Sequence, residues 1–247
     1  MRVRTALTIA GSDCGGGAGL QADLKVFLTR GVYGMSVVTA VTAQNTRGVR
    51  AIGLTDPALV REQLRAVFDD FPVDAVKTGM LGSAAIVDAV CDVLESLAVR
   101  PPLVIDPVLL AKDGSPLLEA RAFDALCRRL VPLAALVTPN LPEAGVLGRL
   151  AAPVLLKGGH GTGAWVEDVL LVGDTSTMYR HRRVSSQNTH GTGCTLSAAI
   201  TAELAKGVAL PDACATGVRY VSRLVRGASR GSLGGGFGPL LHGLRAR

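Results

Sequence analysis

Asn188-Thr-His-Gly-Thr-Gly-Cys194-Thr-Leu-Ser197 has the residue types to hold an anion and to move a proton beside it. Gly191 and Gly193 flank Thr192, and Leu196, Ala199, Ile200 and Leu204 then recur at three- and four-residue spacing up to Gly207. This pattern is a glycine turn feeding an amphipathic helix. The first N–H groups of such a helix lack intrahelical partners and sit at the positive end of its macrodipole. Phosphate suits that place. Cys194 stands at the mouth, where a thiol's pKa is expected to fall. The same ten residues would also serve as an ordinary Gly-rich helix start with a small buried Cys.

Lys157 closes an apolar run just before Gly158-Gly159, and a buried ammonium there needs an anionic partner such as phosphate, unless it snorkels out. Asp106 and the segment Asn140-Leu-Pro-Glu143 offer carboxylates for Mg²⁺, which is held through one or two carboxylates, phosphates and water. Asn140 and Glu143 are equally spaced for a capping box. Gly15-Gly-Gly-Ala-Gly19 would let backbone approach a ligand closely, but it is not G-x-G-x-x-G. No Gly-Lys dipeptide occurs, so there is no Walker A loop. Gly227-Ala-Ser229-Arg-Gly231 matches G-x-S-x-G, yet no strand leads into it and no acidic residue follows, so it is a decoy. His190 and Cys194 have no companion ligands, which argues against zinc.

Positioning these groups requires elements that alternate. Strands are expected over residues 5–10, 36–43, 75–78, 103–105, 135–138 and 154–156, separated by helices over 20–29, 57–70, 84–98, 117–130 and 142–150. A hairpin or meander over 164–172 and 177–184 precedes the opening helix and a last helix over 212–226. The strands are apolar on both faces, as in a parallel sheet covered by helices on both sides, so the fold class is α/β. Gly11-Ser-Asp13, Gln44-Asn45, Gly79-Met80, Asp106-Pro107, Pro139-Asn140 and Gly158-Gly159-His160 follow six successive strands, with Lys77 and Lys157 near two of them. Ligands bind at that edge of a parallel sheet. No linker or repeat interrupts residues 1–247, which read as a single domain.

The chain is 48% hydrophobic but only 4% aromatic, so its core is aliphatic. The net charge of +6 comes mostly from Arg, including Arg219, Arg223, Arg226 and Arg230 on one solvated helix face. Without aromatic interleaving or a recognisable module, this favours anionic small molecules over nucleic acid. The five cysteines are odd in number and scattered, which fits a reduced, cytosolic protein. No apolar stretch approaches the length of a membrane span, and the N-terminal run is too short for a signal peptide.

Several of these segments, taken together, resemble the hydroxymethylpyrimidine/phosphomethylpyrimidine kinase family. They are Thr8-Ile-Ala-Gly-Ser-Asp13, Gly16-Gly-Ala-Gly-Leu-Gln-Ala-Asp-Leu-Lys25, Tyr33-Gly-Met-Ser-Val37, Thr42-Ala-Gln-Asn-Thr46, Ile105-Asp-Pro-Val108, Thr138-Pro-Asn-Leu-Pro-Glu143, Lys157-Gly-Gly-His160 and Asn188 through Ser197. The resemblance implies a ribokinase-like fold, thiamine biosynthesis, and ATP-dependent phosphorylation of 4-amino-5-hydroxymethyl-2-methylpyrimidine and then of its monophosphate. It implies that Gln44 bonds the aminopyrimidine edge, where an amide offers donor and acceptor side by side. Met80 and Val108 would pack on the ring, with Gly11, Ala18 and Asp23 near the substrate. Lys157, with Asn140 and Thr192, would contact ATP, while Asp106 and Glu143 organise Mg²⁺. Gly191, Thr192, Gly193 and Cys194 would receive the transferred phosphoryl group, and Cys194 would accept the hydroxymethyl proton. A cytoplasmic homodimer is implied as well.

One departure stands out. Only 13 residues lie between Glu143 and Lys157, where the family has a longer connection with an additional helix. A parallel crossover needs about a dozen residues, so the chain closes with a single helix, at the nucleotide side. A pyridoxal or pyridoxine kinase of the same architecture is the alternative function. A non-catalytic ligand sensor is a third, which the retained Lys157, Asp106, Glu143 and glycine turn argue against.

Overall fold

The computed structural model describes residues 2–109, 119–229, 231 and 233–243. Its strands form a nine-stranded sheet in the order β3-β2-β1-β4-β5-β6-β7-β8-β9. β1 (Thr5–Gly11), β2 (Tyr33–Asn45), β4 (Ala75–Thr78), β5 (Leu103–Ile105), β6 (Leu136–Val137) and β7 (Val154–Leu156) run parallel. Antiparallel strands close both ends: β3 (Gly48–Leu54) beside β2, and β8 (Trp165–Val172) with β9 (Thr175–Arg182) beside β7.

Burial on both faces explains why the inner strands carry no polar alternation. All seven residues of β1 and all four of β4 are buried. Leu7, Ile9, Val76 and Ile105 pack with Val60 and Leu64 of α2 (Pro57–Asp70), Val87 and Val90 of α3 (Ala84–Ser96) and Ala122 of α4 (Ala120–Ala125). Leu147 of α5 (Leu141–Leu147) joins that cluster. On the opposite face Ala6 and Ala75 meet Val26 and Phe27 of α1 (Gly19–Thr29) and Ala198, Ala199 and Ala202 of α6 (Thr192–Ala205). Val104, Leu136 and Leu155 meet Leu196 and Ile200 of α6 and Val218 of α7 (Leu210–Ala228). Small alanines let α6 lie close along the centre of the sheet.

The spans expected at 57–70, 75–78, 103–105 and 154–156 coincide with the elements, and most others differ by three residues or fewer at an end. β3 is a correction, because no strand was expected there. It is an edge strand whose last five residues are exposed, so no burial pattern marks it. The helix expected at 117–130 begins outside the described residues. Its described part is broken, with Ala120–Ala125 continuing as a π turn over Leu126–Leu130 and a 3₁₀ turn over Val131–Leu133. Pro132 explains the stop, since it cannot donate within a helix. The short crossover closes with α5 alone before β7. Arg219, Arg223 and Arg226 lie exposed along α7, while Arg230 is outside the described residues. Ser229 caps α7 and donates to the Arg226 carbonyl, so the G-x-S-x-G match sits at a helix end and not on a strand turn. No helix of the described residues is long and apolar enough to cross a membrane.

Candidate active site

Chain direction places the site. From β1 the sheet grows one way to β2 and the other way to β4, so a crevice opens where the order reverses. A cavity of about 850 Å³ lies at the carboxyl ends of the strands there, of the size that takes a small-molecule ligand. It is lined by Gly11 and Gln44 from β1 and β2, by Met80, Asp106 and Val108 beyond β4 and β5, and by Asn140, Glu143 and Lys157 beyond β6 and β7. Ala18 and the turn Gly191, Thr192, Gly193 and Cys194 complete the wall.

Gly191 is the N-cap of α6 and sits in the left-handed region at φ 79°, with no capping side chain. A β-carbon there would collide with the carbonyl of Gly17, so glycine is required both by conformation and by the close approach of two backbones. Gly17 and Gly19 pack closely on His190 and on the Gly11 carbonyl, and Gly19, with Ala18, also lines the cavity, where the run stays open to the close approach of a ligand. Without a capping side chain, the N–H groups of Gly193 and Cys194 open onto the cavity and suit an anion. A β-carbon at Gly193 would stand 3.3 Å from Lys157 Nζ and 3.5 Å from Asp106 Oδ2, which places the turn directly over that pair.

Lys157 Nζ donates to Asp106 Oδ1 at 2.8 Å and lies 4.0 Å from Glu143 Oε2. Burial opposes all three charges, but their proximity decides two of them. Burial would raise the Asp106 carboxyl, yet Lys157 and Lys77 hold it below its usual range. Burial would lower Lys157, yet Asp106 and Glu143 raise it. Burial does prevail at Glu143, whose carboxyl is pushed up. The capping box is present in full: Asn140 Oδ1 accepts from the Glu143 N–H and Glu143 Oε2 from the Asn140 N–H, each at 2.8 Å. Cap and site thus coincide. Among the described residues no cluster of three metal-ligating side chains occurs. The donor set fits Mg²⁺ only as two carboxylates completed by phosphate oxygens and water, which is how Mg²⁺ is usually held.

Asp23 requires a correction. It is fully buried and does not line the cavity; its Oδ2 accepts from Lys77 Nζ and Thr8 Oγ1, each at 2.7 Å. Burial would strip Lys77 of its proton, but the Asp23 charge outweighs it and raises the lysine above its ordinary value. Lys77 borders the cavity near Cys194 but has no exposed surface of its own. The expectation of an acidified Cys194 is also corrected. Burial pushes the thiol up to about 11, although Lys77 pulls it the other way. At Cys194 desolvation outweighs the lowering expected at a helix start.

At the far end of the cavity, Thr42 and Gln44 share one face of β2, and the β2–β3 register slips beside Gln44. Gln44 Nε2 lies 3.4 Å from His190 Nε2, which in turn lies 2.8 Å from Asp13 Oδ2. The Asp13 carboxylate also accepts from the N–H groups of Gly15, Gly17 and Ala18. Burial would raise Asp13, but the His190 and backbone hydrogen bonds hold it below its usual value. Sequence reasoning singled out neither Asp13 nor His190 as a pair. The available signal was an aspartate between a strand end and a glycine run, a carboxylate placed to collect their N–H groups.

Comparison with known proteins bears on the family and the fold. The family model for phosphomethylpyrimidine kinase matches residues 13–152 and 148–241. A hydroxymethylpyrimidine/phosphomethylpyrimidine kinase of Rhizobium meliloti is 45% identical, over 96% of each chain. The crystal structure of an ADP complex of Bacillus subtilis pyridoxal kinase superposes with a TM-score of 0.88 at 33% identity, over 98% of each chain. The phosphomethylpyrimidine kinase of Clostridium difficile superposes at 0.77 with 38% identity, over 90% of this chain and 99% of the other.

Proposed function

This chain belongs to the phosphomethylpyrimidine kinase family and has its ribokinase-like α/β fold, and on that premise we propose that it phosphorylates 4-amino-5-hydroxymethyl-2-methylpyrimidine and then its monophosphate, with ATP as donor. The observation that carries the reading is a single cavity with an amide at one end and an uncapped helix start above a lysine–carboxylate group at the other. Gln44 orients the aminopyrimidine edge, and Met80 and Val108 pack on its ring. The hydroxymethyl oxygen then faces the Gly191–Cys194 turn. There it attacks the terminal phosphorus of ATP, the bond to the leaving ADP oxygen breaks, and the hydroxyl proton passes to the Cys194 sulfur in its thiolate form. The N–H groups of the turn hold the charge on the moving phosphoryl group. Lys157 turns from Asp106 to the ATP phosphates, with Asn140 and Thr192 beside it. Asp106 and Glu143 would hold Mg²⁺, which supplies charge neutralisation on the phosphates.

The test is ATP consumption by the purified protein with hydroxymethylpyrimidine, its monophosphate and pyridoxal offered separately. Turnover of both pyrimidines is expected. Turnover of pyridoxal alone would overturn the reading in favour of a pyridoxal kinase, which the superposition at 0.88 supports. A cytoplasmic homodimer belongs to the same proposal. All five cysteines are unpaired, and Val41, Ile52 and Leu54 present exposed apolar side chains on the β2–β3 arm, where a second copy would cover them.

A further inference from the structure

The substrate end of the cavity holds a chain of polar groups whose protons can be counted. Ser12, Asp13, Thr42, Gln44 and His190 all line it. Asp13 Oδ1 accepts from the Gly15 N–H, and Oδ2 accepts from those of Gly17 and Ala18 at 3.1 and 2.8 Å. Backbone N–H groups only donate, so this carboxylate is an acceptor at both oxygens. Burial would raise it, but these bonds and the one to His190 hold it below its usual range. His190 Nε2, 2.8 Å from Oδ2, must therefore carry a proton and donate it. On the other side, Thr42 Oγ1 donates its one proton to the Ser12 carbonyl at 2.7 Å, which leaves it only lone pairs to offer.

These two neighbours decide how the Gln44 side chain stands between them. Its nitrogen end lies 3.4 Å from His190 Nε2 and its oxygen end 3.5 Å from Thr42 Oγ1. In that orientation donor faces donor at His190 and acceptor faces acceptor at Thr42. A half-turn about the last side-chain bond exchanges the two ends, which have nearly the same shape. Both contacts then become complementary, with Oε1 accepting from His190 and Nε2 donating to Thr42. The backbone of Gln44 stays fixed on Cys14, whose sulfur accepts from the Gln44 N–H at 3.2 Å and donates to its carbonyl at 2.9 Å.

We propose that Asp13, acting through His190, and Thr42 are positioning residues that lock the Gln44 amide with its oxygen toward His190. The site then accepts a ring bearing an amino donor beside a ring-nitrogen acceptor and rejects one with the two reversed. The proposal deepens the kinase reading and rests on it for the identity of the ring. In the aminopyrimidine the amino-bearing carbon adjoins the carbon that carries the hydroxymethyl group. The locked amide draws the amino group to the His190 side, and so brings the hydroxymethyl group toward Gly191, the next residue in the chain and the cap of α6. Recognition and aim come from the same histidine.

Calorimetry without ATP compares hydroxymethylpyrimidine with its 4-oxo analogue, whose ring N–H and carbonyl oxygen reverse the pattern, in wild type, His190→Phe, Gln44→Ala and the double variant. Wild type should prefer the amino compound about 10–100-fold, the discrimination that one bidentate contact supplies. His190→Phe keeps a ring beside Gly17 and removes the proton. It should weaken binding of the amino compound about tenfold and bring the preference to within about threefold. In Gln44→Ala the same change should cost less than about twofold, because no amide remains to be oriented. Nitrogen-15 spectra read the proton directly: of the four histidines, the one whose signals His190→Phe removes should show a protonated Nε2. An unprotonated Nε2, a full preference kept in His190→Phe, or losses that add in full with Gln44→Ala each overturn the proposal. So does a wild type that binds both rings alike or neither. Wild type that binds the amino compound with this preference but consumes no ATP refutes the kinase reading and leaves the proposal standing. If His190→Phe does not fold, Thr42→Val tests the other contact, where the same loss of preference is expected and a full preference overturns the proposal.

Discussion

Two lysine–aspartate pairs stand at the ends of parallel strands in this molecule, and they do opposite things. Lys77 and Asp23 are both fully buried, 2.7 Å apart, between β1, β4 and α1. Lys157 and Asp106 make nearly the same bond, at 2.8 Å, but the lysine side chain keeps 13% of its surface exposed and faces the cavity under Gly193. A sealed pair is a fixed charge whose partners cannot be exchanged without leaving a bare ion in low dielectric. A pair open to a ligand can exchange its carboxylate for a phosphate. The same chemistry thus serves as support in one place and as a moving part in the other, and exposure decides which.

The largest effect is expected where the sealed pair is broken. Asp23→Ala leaves Lys77 buried without its counter-charge, and unfolding in denaturant should show a loss of about 3–5 kcal/mol. A loss below about 1 kcal/mol would mean that water reaches Lys77 and that the two pairs do not differ. Lys157→Ala is the converse. Turnover should fall by about 10²–10³-fold, as when one transition-state donor is removed. Its stability loss should be less than half that of Asp23→Ala, because water entering the cavity can solvate Asp106. Equal losses in the two variants break the comparison.

The contrast between the pairs marks where sequence reading reached and where it stopped. Lys157 was identifiable because it ends an apolar strand before two glycines, and Asp106 because a carboxylate follows the next parallel strand but one. Both positions depend only on strand ends, which hydrophobic runs reveal. Asp23 lies in mid-helix, and whether it faces ligand or lysine depends on how α1 packs over β1 and β2 beside β4, a relation between segments far apart in sequence. The same limit hid the tie from Asp13 to His190. The thiol of Cys194 was misjudged for a related reason, since a helix start can be read from spacing but the depth of its burial cannot.

Gln44 lies outside both pairs and sharpens the comparison from the substrate side. Gln44→Ala should weaken pyrimidine binding by about 1–3 kcal/mol, the cost of leaving the polar edge of the ring unpaired. Calorimetry with ATP absent measures it, and the unfolding free energy should not move. Unchanged affinity would remove Gln44 from the substrate site and leave the orientation of the ring to other groups.

The smallest effects test whether the sealed pair reaches the chemistry at all. Cys194 is held up to about 11 chiefly by burial, with Lys77 pulling it down. At neutral pH the thiol is therefore mostly protonated, and its thiolate fraction grows about tenfold for each pH unit below that value. If the thiolate takes the hydroxymethyl proton, kcat should climb between pH 7 and pH 9. Cys194→Ala should lower kcat at least tenfold and remove that climb, with pyrimidine binding intact. The double variant Lys77→Met with Asp23→Leu replaces the buried pair by apolar groups of similar volume, a change that leaves stability nearly unaltered. Losing Lys77 raises the thiol and losing Asp23 lowers it, the first outweighing the second, so kcat at pH 8 should fall modestly and the climb should move to higher pH. A flat profile in wild type would make Cys194 a packing residue, consistent with a loose transition state that asks little of a base. A climb that the double variant leaves in place would confine the Lys77–Asp23 pair to holding α1 against the sheet.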